Sequence, residues 1–120
     1  MKSYTSIEQS KKLAEILPIE TADMYYCYGM DIHTKKWDYD IVPTIIDVSN
    51  QIDSDSDIPC WSLAALLSIL PSSTLDSSDD HHYRVHCKEM FTDWYDNPID
   101  CCIAMIDRLH EQMIYDFNNG

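Results

Sequence analysis

The sequence predicts an α+β fold: three helices packed on a small antiparallel sheet of three to four strands. Three observations carry this expectation. The chain is 45% apolar, three segments space their apolar residues like helices, and the stretches between them alternate like strands. At 120 residues the chain has the length of one domain, so residues 1–120 read as one unit with one core.

The first helix is expected over residues 5–17. Thr5 can cap it, Glu8 three residues later completes a capping box, and Pro18 stops it. Leu13, Ile16 and Leu17 supply the apolar stripe, with Lys11, Lys12 and Glu15 on the wet side. Met24 to Tyr28 is aromatic-rich and reads as a strand that Gly29 closes. Residues 30–58 resist placement, although Trp37 to Val42 alternates bulky and acidic residues like a short strand. Residues 49–58 read as a mobile acidic loop.

The second helix is better marked. Ser62 is its expected N-cap, Trp61 and Leu66 can close a hydrophobic staple, and Pro71 stops it. Leu63 to Leu70 is apolar nearly all round, so this helix is expected to be buried. Residues 73–95 read as a short antiparallel meander, because Tyr83, Val85 and Cys87 alternate with Arg84, His86 and Lys88. A further strand is expected from Phe91 to Tyr95. In the last helix Asn97 caps, Pro98 occupies the first position and Asp100 meets the positive end of the dipole. Ile99, Cys102, Ile106, Leu109 and Met113 fall on its core face. Residues 117–120 are expected to fray.

Charge excludes more than it identifies. Eight Lys and Arg stand against twenty-one Asp and Glu, a net −13, and no basic stripe exists for phosphate backbones or anionic lipid. The expected partner is therefore a protein, with a basic one electrostatically favoured, and neither direct nucleic acid nor membrane is expected. Eight Tyr, three Trp and two Phe argue against a disordered acidic tail. Five cysteines without a CxxC pair suit a reduced, cytoplasmic protein better than a disulfide scaffold. The N-terminus shows no signal-type apolar run.

No catalytic, cofactor or metal site assembles from these residues. His82 and His86 share a strand face about 13 Å apart, too far to hold one zinc ion. Asp53-Ser54-Asp55-Ser56-Asp57 imitates a calcium loop, but Ile58 stands where the turn needs Gly and Ala64 where a bidentate Glu belongs. Two glycines are too few for a P-loop or dinucleotide fingerprint. Among the thiols, Cys60 at an exposed helix entrance is the best nucleophile, with no base assigned to it. The more selective signal is aromatic. Trp37, Tyr39, Trp94 and Tyr95 adjoin acids, and with Asp53, Asp55 and Asp57 they are the candidate protein-interaction residues.

At Ile58-Pro59-Cys60-Trp61-Ser62-Leu63-Ala64-Ala65-Leu66-Leu67 and Trp94-Tyr95-Asp96-Asn97-Pro98-Ile99-Asp100-Cys101-Cys102 the chain resembles small uncharacterised proteins carried by prophages and mobile elements of gut bacteria. Ser6 to Leu13 and Glu20 to Met24 are similar too. These motifs are helix entrances and core stripes, so the resemblance implies an accessory protein of an intracellular element and brings no activity with it. The expected function is thus a non-enzymatic acidic accessory protein that binds another protein. An acidic mimic of nucleic acid, occupying a DNA-binding protein, is the first alternative, and a small thiol enzyme the second. Oligomeric state stays open.

Overall fold

The computed structural model describes residues 3–47, 49–53 and 55–117. Among the described residues three α-helices and eight short strands form a mixed α+β architecture. The strands that the sequence pattern gathers into one sheet divide into three antiparallel ones, of three, two and three strands.

Helix α1 spans Ile7–Leu13. Its cap lies one residue beyond the expected Thr5, at Ser6, whose hydroxyl accepts from Gln9 N while the Gln9 side chain accepts from Ser6 N. Both registers satisfy the capping-box pattern; the one adopted leaves Thr5 free for the core. Leu13 and Leu17 are buried, whereas Lys11, Lys12 and Glu15 face solvent as their spacing predicts. A single 3₁₀ turn, Ile19–Thr21, leads into the sheets.

The expected strand through Tyr28 is broken at Cys27. Strand β1 (Met24–Tyr26) is the centre of the first sheet, between β4 (Thr44–Ile45) and β5 (Ile58–Cys60). Strand β2 (Tyr28–Met30) instead pairs with β3 (Trp37–Tyr39) as a separate hairpin. Gly29 therefore sits inside a strand, opposite Asp38, and ends nothing. The hairpin turn is held by the Asp31 side chain, which accepts from His33 N and Thr34 N, and closes with Lys35 at φ 56°.

Helix α2 (Leu63–Ile69) begins at Ser62, as its sequence marks. It is less buried than its composition suggests: Ala65, Leu66 and the following Leu70 are enclosed, while Ala64 and Ser68 are exposed. The reason is local, since seven residues of helix pack one side only. The third sheet joins β6 (Ser73–Ser77), β7 (Tyr83–Cys87) and β8 (Met90–Phe91) as a meander. Val85 and Cys87 point inward and Tyr83 is half-buried on the same side, so the alternation holds. Beyond β8 the expected strand shrinks to one bridge, Tyr95 to Tyr83.

Helix α3 (Pro98–Glu111) carries the widest apolar face, with Ile99, Cys101, Cys102, Met105, Ile106 and Leu109 fully enclosed. Met113 is not among them. It lies past the helix end at φ 56°, 90% exposed. Phe117, at the start of the expected frayed tail, is buried in the main core; residues 118–120 lie outside the described residues.

Two apolar clusters result. The larger joins Leu13, Leu17, Trp61, Leu66, Val85 and the α3 stripe, and the smaller holds Tyr26, Ile58 and Cys60. They meet at Thr5. Its N–H donates to Trp61 O (3.0 Å), its hydroxyl accepts from Trp61 N (3.1 Å), and its carbonyl accepts from Tyr26 OH (2.7 Å). Removing the hydroxyl while keeping the shape, as in Thr5→Val, leaves a buried N–H unpaired and is expected to cost about 1–3 kcal/mol. Urea unfolding followed by circular dichroism measures it.

Asp107 gives a second test. Burial first, then the neighbouring Glu111 carboxylate, raises its carboxyl above the ordinary range. The folded state then binds this proton more tightly than the unfolded chain, so stability falls as pH rises from the ordinary carboxyl range through the raised one. Asp107→Asn should match the parent at low pH and melt at a higher temperature near neutrality. A difference that does not grow with pH would refute the assignment.

Candidate protein-interaction surface

Exposed apolar side chains are unevenly distributed. Of eleven large ones among the described residues, seven fall between residues 28 and 45: Tyr28, Met30, Ile32, Trp37, Ile41, Val42 and Ile45. Scattered singly they would need no explanation, but here they share one hairpin and the segment that follows it.

The register of the hairpin sorts its side chains. Tyr28 faces Tyr39 and Met30 faces Trp37, so these four share one side of the ribbon. Tyr28 lies 4.9 Å from Tyr39 and 5.8 Å from Trp37, ring centre to ring centre. Tyr39 anchors this row by packing against the smaller core cluster. Exposure then climbs along the ribbon, to 61% at Trp37. Gly29 and Asp38 lie on the other side, and with Asp31, Lys36 and Asp40 they line an open depression of about 470 Å³. Three carboxylates there face one ammonium group.

The expected interaction residues divide into two groups. Trp37 and Tyr39 join Asp57, whose carboxylate accepts from Tyr28 N at 3.2 Å. Asp57 also accepts from Asp53 N, and Asp53 accepts from Asp55 N, so the three acids form one tight turn beside the hairpin. Ser54 of the expected 49–58 acidic loop lies outside the described residues, as does Val48 just before it. Trp94 and Tyr95 belong elsewhere, next to the β6–β8 sheet. Trp94 stacks on the Arg84 guanidinium at 4.6 Å, and Arg84 also meets Phe91 and Asp76. Tyr95 turns inward against the main core. Tyr28, Met30 and Ile32 were missed by sequence reasoning. The period-two pairing of Tyr28 and Met30 with Tyr39 and Trp37 was the available signal, hidden because Gly29 reads as a terminator.

The thiols correct one expectation. Cys60 is not exposed: its accessibility is 0%, and burial pushes its thiol up. The entrance to α2 is covered because the segment Tyr4–Thr5 lies across it. Cys87, Cys101 and Cys102 are buried as well. Cys27 alone is half-buried, and desolvation followed by Asp57 and Asp40 raises its pKa. Among the described residues no three His, Cys, Asp or Glu converge on a metal position, and no helix is long and apolar enough to cross a membrane. Ile58 is buried in β5 and Ala64 lies in α2, so neither extends the Asp53 turn into a calcium loop.

No family model matches the chain, and no curated protein or solved structure matches it. The surface therefore has to be read from its own chemistry. Iodoacetamide at neutral pH is expected to add at most one label to the folded protein, slowly and at Cys27, and five after denaturation. Rapid labelling of Cys60 in the folded state, seen by peptide mass spectrometry, would contradict its burial.

Proposed function

We propose that this chain is a non-enzymatic acidic accessory protein that binds another protein through the β2–β3 hairpin and the adjoining residues 41–45. The supporting observation is the concentration of exposed Tyr28, Met30, Trp37, Ile41 and Val42 on and beside a hairpin whose other side carries Asp31, Asp38 and Asp40 and whose base is held by Asp57. A large apolar patch within a charged rim is how protein-binding surfaces are commonly composed. Mimicry of nucleic acid would need carboxylates aligned at phosphate spacing with little between them. Here the acids share the hairpin with an exposed row of large apolar side chains on its other side, which favours a protein partner. In this reading the protein serves a mobile element in the cytoplasm, as the sequence resemblance implies.

The experiment compares the parent with a Met30→Ser, Trp37→Ala double variant, both immobilised and exposed to lysate of a host cell. Neither side chain is in a core cluster, so circular dichroism of the variant should match the parent. Proteins retained by the parent at low salt should be lost from the variant and from the parent at high salt. Identical retention by both would sink the proposal.

A further inference from the structure

We propose that the outer edge of β3 receives an extended segment of a partner protein, in which basic and apolar residues alternate, as an added strand. This rests on the protein-binding reading of the hairpin and specifies its mode and its ligand chemistry.

The hydrogen-bond register identifies which edge is open. Asp31 N donates to Lys36 O and Asp40 N donates to Cys27 O, so the 31/36 and 27/40 pairs are the bonded ones. Bonded and non-bonded pairs alternate in an antiparallel ribbon, which leaves Tyr28/Tyr39 and Met30/Trp37 with their backbone groups turned outward. On the β2 side the Tyr28 N–H is already taken by Asp57. On the β3 side the Tyr39 N–H is held only by its own neighbour, the Asp38 carboxylate, at 2.8 Å. The ribbon has two strands, so among the described residues nothing further pairs with β3. An unpaired strand edge of this kind is a template for another chain.

The two sides of the ribbon define the sequence that fits. Residues of an added strand opposite Trp37 and Tyr39 fall on the aromatic side, and the residue opposite Asp38 falls on the acidic side. Pairing would transfer the Tyr39 N–H from Asp38 to an incoming carbonyl and free that carboxylate for a Lys or Arg. Asp31 and Asp40 line the same depression, and Gly29 leaves it hollow, with nothing within 4 Å of the position a Cβ would take. A second copy of this chain is the poorer occupant, because two bodies of −13 repel.

The probe is a capped heptapeptide alternating Lys and Val, titrated into the ¹⁵N-labelled full chain at low salt. Two controls keep its charge and composition: one groups the Lys and Val into blocks, the other N-methylates alternate amides. The alternating peptide should slow hydrogen exchange at the Trp37 and Tyr39 amides and bind about tenfold more tightly than either control. Asp38→Asn, which still offers an acceptor to Tyr39 N, should weaken it several-fold and flatten its salt dependence. Equal binding by the N-methylated peptide, protection at amides outside β3, or a dimer of the protein alone built on this edge would each overturn the proposal. No binding of the peptide, while lysate partners still depend on Met30 and Trp37, would overturn the strand mode and leave the surface assignment standing. Loss of both would overturn the two together.

Discussion

The backbone at Thr5 has to be satisfied in a place water does not reach, and much of the arrangement follows from how this is done. Cys60 and Trp61 are consecutive, so their side chains point to opposite sides of an extended chain. One enters the smaller cluster and the other the larger. The step between them would strand buried polar groups, and Thr5 supplies the partners for Trp61 N and O. Its hydroxyl also lies 2.7 Å from Ser10 Oγ, which binds the first turns of α1 to the same point. The Trp61 indole N–H donates to Thr21, and Asp23 accepts from Ser62 N and from its hydroxyl. Three stretches distant in sequence, residues 5–10, 21–23 and 60–62, thus converge on one position. Gln9 adds a link from α1 to α3 by donating to Asp100, the residue that Asn97 caps.

That junction also decides where the hairpin emerges. β1 is fixed between β4 and β5, with Tyr25 and Tyr26 buried, and only Cys27 separates it from β2. The chain therefore leaves a covered sheet and within two residues is exposed. Beyond Tyr39 the row is exposed, Trp37 most of all. Exposed apolar edges promote self-association, and natural proteins blunt them with charge. The acids at 31, 38, 40 and 57 supply that charge here. The same carboxylates that discourage a second copy would attract a basic segment, so solubility and selectivity come from one set of residues.

Short-range signals were legible in the sequence. Ser62 and Asn97 act as caps where their spacing places them, because a cap depends on residues three positions away. β7 keeps its alternation for the same reason, since period two is a property of one strand. What was not legible depends on contacts far along the chain. Ser6 and Thr5 are equally good caps in isolation, and only the distant Trp61 makes Thr5 more useful in the core. Cys60 looks exposed beside a helix start until residues 4 and 5 cross it. The break at Cys27 turns one expected strand into two sheets, because Tyr26 finds Ile58 and Tyr28 finds Tyr39. Nothing within residues 24–30 records that choice.

The two groups of candidate residues also differ in what they have left to give. On the outer face of the third sheet, Arg84 lies against the rings of Phe91 and Trp94 and pairs with Asp76 at 3.2 Å, and His86 stacks on Phe91 at 4.2 Å. Cation and rings there already hold one another, and Arg108 fixes β8 by donating to Phe91 O. Displacing such a set costs the interactions it makes now. Trp37 and Met30 belong to neither core cluster and are half or more exposed, and among the described residues β3 keeps outward backbone groups without a strand beside them. A partner gains most where the free protein has least to lose, and on this molecule that place is the hairpin.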